Sequence, residues 1–376
     1  MDFRKCMACS ALLFSSPFSA QIALAQHVVS LPPELADPGT QVESVLEGLA
    51  YSEGPTVDPA GNLYFSEDPD VNDGRIWKIT PDGTKSIYKD PSRGSNGLEM
   101  DNQGRLHIAM LDSVLRIEPD GKTTVLAAKS GTLNLGRVND LSLSSTGTLF
   151  FSNLSGNTLF FRGMDGQIRT QNFYGVNGVE WIEEKSILYV ASEGLQRCAV
   201  DNATGEVGAC TYFAGWTDGL TVDANGNVYR ASRSEGRIIV HDSTGNQLGY
   251  IAIAAKEVQG KRYSPGSVGN ASNCHFGGAD GKTLFITGDG GCYKVGLKVA
   301  GRLRPGQAGS GLSRFRIGSA SAPGADLRKR AWSAEASGFL FAAPAGEKVL
   351  LNGRRALSIA PVARAALPGT AVPKAE

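Results

Sequence analysis

Short apolar stretches separated by polar, glycine-rich turns recur along most of the chain. One phrase occurs six times: a residue with a side-chain oxygen opens a short apolar strand, a polar turn follows, and a second apolar strand completes a hairpin. The clearest copies span residues 53–65 and 96–108, and the others begin at residues 139, 177, 218 and 273. Alternating apolar and polar positions between dense Gly turns predict β-hairpins and exclude helical repeats.

A further strand pair follows each copy, as in residues 74–79 and 84–88. The copies are spaced by about 40 residues, the length of a four-stranded propeller blade, with a longer insertion before the sixth. This pattern predicts an all-β fold, a six-bladed β-propeller with four-stranded blades, over residues 40–300. Since an open array would expose a long sheet edge, we expect the ring to close, with residues 42–46 adding a strand to the last blade.

The two ends of the chain differ from the repeats. Residues 1–25 combine Arg4 and Lys5, an apolar stretch and a small-residue cleavage pattern, and they predict a signal peptide and a periplasmic or secreted protein. Because residues 15–17 (Ser-Ser-Pro) interrupt the apolar stretch, we expect no membrane span after cleavage. Residues 301–376 are rich in Ala, Gly, Pro and Arg and predict a disordered or loosely docked tail, a basic interaction arm being the alternative.

Charge and cysteine content narrow the partners and the compartment. Lys plus Arg and Asp plus Glu each number 37, a balance that gives no reason to expect a nucleic-acid partner and favours a small-molecule ligand. The sequence indicates no oligomeric state. Four cysteines follow the predicted signal peptide. Cys198 and Cys210 flank a turn and could pair across a hairpin, which would leave Cys274 to pair with Cys292; four buried free thiols are the alternative.

The residue that opens each copy is the main candidate for chemistry. In a propeller the first strand of each blade lines the central channel, so equivalent positions form a ring around one axis. These positions are Glu53, Asn96, Asn139, Asn177, Asp218 and Asn273, and every one carries a side-chain oxygen. Asn-Gly and Asp-Gly are also common turn residues. Six oxygens in one channel, however, would need a cation or substrate hydroxyls, and hard oxygen ligands favour Ca²⁺ or Mg²⁺.

Across residues 45–298 the chain resembles the SMP-30/gluconolactonase family of regucalcin-like lactonases. The resemblance rests on five motifs taken in order: Ser52-Glu53-Gly54-Pro55, Arg137-Val138-Asn139-Asp140, Val176-Asn177-Gly178-Val179-Glu180-Trp181, Asp218-Gly219-Leu220-Thr221-Val222-Asp223 and Cys274-His275-Phe276-Gly277-Gly278. The chain departs from the family pattern at Val138 and Thr217, where many relatives have proline.

The resemblance implies a metal-dependent lactonase. Glu53, Asn177 and Asp218 match the family's metal ligands, and Asp218 also matches its general base. Asn139 and Arg137 match substrate-binding positions, and Asn96 joins them from the ring. The resemblance implies one divalent cation without settling which, and the hard oxygen ligands favour Ca²⁺, with Zn²⁺ or Mg²⁺ as alternatives. It also implies a small lactone opened by activated water, and the donors of Arg137 and of the Asn ring favour a lactone of sugar type.

Three other functions use the same residues differently. A serine hydrolase is disfavoured because the sequence has no Gly-x-Ser-x-Gly elbow and only 4 His. A non-enzymatic propeller that binds a structural ion and a partner remains the main alternative, since fold does not fix function. A related esterase or phosphoesterase is the third, and Tyr174, Trp181 and Trp216 could shape its pocket, although core packing explains strand aromatics equally well.

Overall fold

The structure, a computed structural model, describes residues 27–67, 73–128, 135–253 and 271–302. The predicted signal peptide and the predicted tail from residue 303 onward lie outside these residues. The described part of the chain belongs to one unit and contains 23 β-strands and a single short 3₁₀ helix, Glu183–Lys185. No helix in it is long and apolar enough to cross a membrane. The predicted all-β class is confirmed.

The strands follow the repeats of the sequence. A leading strand and the first two repeats supply β1 (Val28–Ser30), β2 (Val42–Val57), β3 (Leu63–Glu67), β4 (Arg75–Ile79), β5 (Lys85–Lys89), β6 (Leu98–Met100), β7 (Leu106–Ala109), β8 (Ser113–Ile117) and β9 (Thr123–Ala128). The third and fourth repeats supply β10 (Val138–Leu143), β11 (Leu149–Asn153), β12 (Thr158–Arg162), β13 (Ile168–Asn172), β14 (Val179–Ile182), β15 (Ile187–Ala191), β16 (Leu195–Val200) and β17 (Val207–Ala214). The last two supply β18 (Leu220–Val222), β19 (Val228–Ser232), β20 (Arg237–His241), β21 (Gln247–Ala252), β22 (Ala271–Gly277) and β23 (Thr283–Gly296).

Each of the second, third and fourth repeats forms one antiparallel four-stranded sheet with its strands in chain order. The first strand of each sheet is buried along its whole length, whereas the fourth is largely exposed. The fifth repeat forms the same sheet, and β1 extends its outer edge by pairing with β21. The first strands therefore lie at the centre of the molecule, as a propeller requires.

The prediction of six separate four-stranded blades is wrong, because the described strands form five sheets. The cause is the length of β2. Its first part pairs with β23 from Val42 to Tyr51, and its second part pairs with β3 from Ser52 to Val57. The expected pairing of residues 42–46 with the end of the repeat region is thus present, but a continuous strand carries it. The first and last repeats consequently share one six-stranded sheet.

Apolar side chains fill the space between neighbouring sheets. Between the third and fourth repeats, Phe150 and Phe161 pack against Trp181, with the Phe150 and Trp181 ring centroids 5.0 Å apart. Between the fourth and fifth, Tyr189 and Phe213 of the fourth repeat contact each other edge to face at 5.1 Å and share an apolar cluster with Leu220 of the fifth. Trp181 is only 1% exposed, so its role is core packing and not the shaping of a pocket.

The repeated Asp of the hairpin turn has a structural role. Asp58 Oδ1 accepts the backbone N–H groups of Ala60 and Asn62, and Asp223 Oδ1 accepts those of Asn225 and Asn227 in the fifth repeat. Such a carboxylate satisfies turn donors that no strand partner reaches. This Asp therefore stabilises the turn, and the candidate functional residues lie at the other end of the inner strand.

The cysteines follow only half of the predicted pairing. Cys198 on β16 and Cys210 on β17 are register partners, with Cα atoms 4.0 Å apart, and they form a disulfide. Cys274 and Cys292 are buried free thiols, so the predicted second disulfide is wrong. The Cys274 thiol instead lies 3.4 Å from the Tyr229 carbonyl, in the core beside the fifth repeat.

Candidate functional site

The residues that open the repeats meet where neighbouring inner strands touch. Glycine follows four of them and lets the strands approach: Gly97 N donates to Asn139 O at 2.8 Å, and Gly178 N donates to Asp218 O at 3.1 Å. A Cβ atom on Gly178 would lie 2.1 Å from Asp218 O, so no larger residue fits there without a shift. The Asn-Gly pattern thus serves close backbone approach around the axis.

In the last repeat the ring position belongs to Ser272 and not to Asn273. Gly219 N donates to Ser272 O at 2.7 Å, the contact that Gly178 N makes with Asp218 O. Ser272 Oγ in turn donates to Ser52 O at 2.7 Å, which connects this repeat to the first. Asn273 lies one position further on, where its side chain fills the space beside Gly219. The prediction that Asn273 completes the ring is therefore wrong by one residue.

Glu53 and Asp218 converge on the hydroxyl of Tyr51. The Tyr51 Oη atom lies 2.9 Å from Glu53 Oε1 and 3.4 Å from Asp218 Oδ2. The second oxygen of Glu53 accepts the backbone N–H of Gly54 at 3.0 Å. Asn177 completes the group, because its side chain lies beside the Asp218 carboxylate and helps to lower its pKa. The structure thus brings together the three residues that the sequence predicted as metal ligands.

Burial dominates the electrostatics of this group. Glu53 and Asp218 are each 3% exposed. Burial raises the pKa of Glu53 well above its usual value, and the neighbouring Asp218 charge raises it further. Burial also raises the pKa of Asp218 to about 6, against the opposing effects of Arg233, Asn177 and Tyr51. Two buried carboxylates that disfavour each other's charge are arranged to receive a cation.

A positively charged side chain, Arg233, lies beside the two carboxylates. Arg233 Nε is 3.6 Å from Asp218 Oδ2, and the guanidinium group stacks over the Tyr51 ring at 4.9 Å from its centroid. Burial disfavours the charged form of Arg233, but the nearby negative charges of Asp218 and Glu53 help to raise its pKa overall. The Arg233 side chain is 46% exposed, so it sits at the open edge of the group.

The donor set fits a divalent cation. Two carboxylates balance a double positive charge, and the Asn177 amide adds a third oxygen, which together suit Ca²⁺ or Mg²⁺. No His or Cys joins them, which makes the set less suited to Zn²⁺. Within the described ranges no cluster of three or more His, Cys, Asp or Glu could hold a metal, so an amide oxygen is needed to complete this one.

The predicted substrate-binding residues occupy neighbouring ring positions. Asn96 and Asn139 are 5% and 6% exposed and adjoin each other through the Gly97 backbone. Neither amide side chain hydrogen bonds to another residue in the part of the chain that the structure describes, which leaves both groups available to a ligand. Arg137, half-buried, precedes β10 by one residue. It shares no contact with the three candidate metal ligands among the described hydrogen bonds and ion pairs.

A second polar level lies three residues further along the inner strands. Its members, at equivalent positions, are Thr56, Glu99, Ser142, Glu180, Thr221 and His275. Arg302 enters this level from the segment after the last strand. Its Nε donates to Glu180 Oε1 at 3.0 Å, and its Nη2 donates to Trp181 O. Arg302 backbone N–H also donates to Val222 O at 3.1 Å.

The contacts of Arg302 correct the boundary of the predicted tail. Gly301 forms a β-bridge with Asp223, so residues 301 and 302 are docked against the fifth repeat.

Burial, followed by the Arg302 charge, lowers the pKa of His275 to about 3. His275 is thus neutral, and because it is only 2% exposed it serves as a buried packing residue.

Three residues of this region escaped the sequence analysis, and one of them had a detectable signal. Tyr51 is two residues before Glu53 on the same strand, and side chains at this spacing point to the same face. Its position could therefore have been found. Arg233 lies in a hairpin turn, and Arg302 lies beyond the last repeat, so only the folded chain brings either to the axis.

The fold and the site together define a β-propeller with an acidic, oxygen-lined centre. The SMP-30/gluconolactonase/LRE-like region model matches residues 51–289, and the chain belongs to this family, as the motifs predicted.

Two relatives and one solved structure illustrate the match. The chain is 25% identical over 321 residues to the gluconolactonase of Zymomonas mobilis, covering 71% of this chain and 84% of that protein. It is 25% identical over 290 residues to the pentonolactonase of Haloferax volcanii, covering 72% and 92%. The crystal structure of the calcium-binding protein regucalcin from Agrobacterium tumefaciens superposes with a TM-score of 0.58 at 19% identity, covering 71% and 97%. That similarity supports the fold.

Proposed function

We propose that this protein hydrolyses a lactone of sugar type with the help of one divalent cation, Ca²⁺ preferred, held by Glu53, Asn177 and Asp218. The lactonase class follows from family membership and from relatives named for lactone hydrolysis. The single observation that supports the metal site is the meeting of two buried carboxylates and one amide at the centre of the propeller.

The chemistry of lactone opening assigns separate roles to the cation and to the side chains. A bound divalent cation supplies a Lewis acid for the ester carbonyl and makes water more acidic. Asp218 accepts the proton of the attacking water, a role that its buried carboxylate can fill from the centre of the site. The water oxygen bonds to the carbonyl carbon, the ring C–O bond breaks, and the proton passes to the departing ring oxygen.

Tyr51 and Asn177 hold Asp218 in place for this step. Asn177 binds the Asp218 carboxylate from the neighbouring strand, and the Tyr51 hydroxyl links it to Glu53. Because all four side chains lie on rigid inner strands or next to them, the carboxylate cannot rotate freely away from the axis.

The substrate assignment rests on the hydrogen-bonding groups beside the carboxylates. Asn96 and Asn139 offer amide donors and acceptors, and Arg137 adds donors, a set that suits several hydroxyl groups on one ligand. The two named relatives act on gluconolactone and pentonolactone by their names, which agrees with a polyhydroxylated lactone.

A lactone panel with added and removed metal tests the proposal. Glu53→Gln and Asp218→Asn should each lower kcat/KM at least 100-fold, and excess chelator should abolish wild-type turnover until Ca²⁺ is restored. Glu235→Gln, a variant of an exposed carboxylate in a nearby turn, serves as the control and should retain wild-type activity. Activity that persists in excess chelator would refute the metal role. Metal binding without turnover of any lactone would instead support the non-enzymatic propeller.

The site of action is a separate proposal. We propose that the chain is exported, because a Cys198–Cys210 disulfide persists in oxidising compartments and residues 1–25 have the pattern of a signal peptide. Fractionation of the producing cells, with sequencing of the mature N-terminus, tests this. A cytoplasmic protein that retains residues 1–25 would contradict it.

A further inference from the structure

We propose that Arg233 determines substrate specificity, by binding a second ionised acidic group on the lactone, such as a carboxylate at the far end of its carbon chain. The inference rests on the proposed lactonase function and deepens it. It concerns which lactones the site prefers, and it is carried by the position and the unused hydrogen-bonding capacity of one side chain.

The position of Arg233 is defined on two sides. It lies in the turn between β19 and β20, which starts directly after Ser232 at the site end of the fifth repeat. The guanidinium group stacks over the Tyr51 ring, and its Nε atom is 3.6 Å from Asp218 Oδ2. Because Tyr51 is itself held by Glu53, the stacking fixes the guanidinium over the edge of the site.

The hydrogen-bonding capacity of Arg233 is open, in contrast to that of two buried arginines nearby. Arg230 donates to His241 Nε2 and to Trp216 O, and Arg302 donates to Glu180 and to Trp181 O. Across the described ranges, Arg233 donates no side-chain hydrogen bond, since its distance to Asp218 exceeds that of a normal bond. A planar guanidinium with free donors and 46% exposure is suited to bind a carboxylate in two-pronged fashion.

A purely internal role is the alternative. Arg233 could only neutralise the acidic groups around it, which include Glu53, Asp218 and Asp289. Neutralisation accounts for the 3.6 Å contact with the buried Asp218 carboxylate, but it leaves the remaining donors of the 46% exposed guanidinium group unexplained. The two roles differ in one measurable respect. Neutralisation affects every lactone alike, whereas specificity affects only those that carry the acidic group.

The experiment compares two lactones of the same ring size. The γ-lactone of gluconic acid is neutral, and the γ-lactone of glucaric acid carries a free carboxylate. We expect Arg233→Gln to lower the ratio of kcat/KM for the charged over the neutral lactone by about tenfold, mainly through KM, because a charge-assisted hydrogen bond is lost. Arg233→Lys, which keeps the charge without the planar fork, should recover part of the ratio.

The matched control is Arg237→Gln. Arg237 also stacks over a tyrosine, Tyr250, at 4.5 Å and also pairs with a carboxylate, Glu235, but it makes no contact with Glu53, Asn177 or Asp218. Its replacement should leave both lactones at wild-type rates. An equal loss for both lactones in Arg233→Gln, or an unchanged ratio, would overturn the specificity role.

A binding measurement separates this inference from the proposed function. Calorimetric titration of the Ca²⁺-loaded protein with glucarate and with gluconate requires no turnover. Wild type should bind the dicarboxylate about tenfold more tightly than Arg233→Gln does, with a smaller difference for the monocarboxylate. If no lactone is hydrolysed but this selective loss is seen, the lactonase proposal fails and the anion site stands. If hydrolysis occurs without the selective loss, only the anion site fails.

Discussion

Replacing Arg302 should show how strongly the segment after the last strand stabilises the propeller. Arg302 and Glu180 are 9% and 0% exposed, and the ion pair between them is 3.0 Å long. Arg302→Met preserves most of the side-chain volume but leaves Glu180 charged in the channel interior. The Arg302 contact with Glu184 at 3.7 Å is lost as well, although Glu184 is exposed and contributes little.

The size of the effect follows from burial. Removing one partner of a buried pair costs about 3–5 kcal/mol, because the remaining charge loses the counter-ion that compensated its burial. For a domain of this size, each kcal/mol lowers the melting temperature by about 2–4 °C, so a decrease of about 10 °C is expected. The double variant Arg302→Met with Glu180→Gln also removes the buried negative charge, so it should recover part of the lost free energy of unfolding.

Urea unfolding at neutral pH, followed by tryptophan fluorescence and far-UV circular dichroism, measures the free energy of unfolding. The control is Arg75→Met. Arg75 also pairs with two carboxylates, Glu67 at 3.5 Å and Asp90 at 3.2 Å, but its side chain is 43% exposed. That variant should lose less than about 1 kcal/mol. The buried pair would not exist as described if Arg302→Met lost as little free energy of unfolding as the control. The same conclusion would follow if the double variant were no more stable than Arg302→Met.

Three further predictions concern other parts of the fold. The double replacement of Cys198 and Cys210 by Ala should lower the free energy of unfolding by about 3 kcal/mol and make it insensitive to reductant, as urea unfolding with and without reductant can check. Gly178→Ala should cost about 1–3 kcal/mol and most of the lactone turnover by displacing Asp218, whereas Gly296→Ala, with open space around its Cβ position, should do neither. Burial lowers the pKa of His107 to about 4, below its ordinary 6.5, so the unfolded chain takes up the proton first. The contribution of neutral His107 is therefore complete above pH 6.5 and is lost as the pH falls toward 4, by about 3 kcal/mol. Unfolding curves of His107→Gln should show a weaker loss over that range, and equal slopes for both proteins would contradict the shift.

The sequence predicted the all-β class and the central position of the inner strands because both depend on local patterns. Alternation and Gly-containing turns specify hairpins, and their spacing specifies units of four strands. The number of sheets depends on whether two strands separated by the whole repeat region merge into one. Residues 42–57 contain Gly48 and Gly54-Pro55, which usually mark breaks between strands, so the sequence favoured separate strands where the structure has the continuous strand β2.

The same limit applies to the last repeat and to the cysteines. The sequence aligns Asn273 with the other ring residues by type, but the register of β22 is set by a bulge between Ala271 and Asn273, which shifts Ser272 into the ring. Cys198 and Cys210 could be paired because they are close in sequence and flank one turn. Cys274 and Cys292 were paired only by elimination, and elimination carries no geometric information.

The candidate site shows the division between local and long-range information most clearly. Glu53, Asn177 and Asp218 each begin a copy of one repeated phrase, so symmetry alone brings them to one axis, and the structure places them around Tyr51. Arg233 breaks that symmetry, because it comes from a turn that differs among the repeats. A residue that only one repeat carries is not required by the shared scaffold, which the other repeats build without it. The asymmetric position at the edge of the site is therefore where selection among substrates would be expected, while the symmetric ring holds the chemistry that all lactones need.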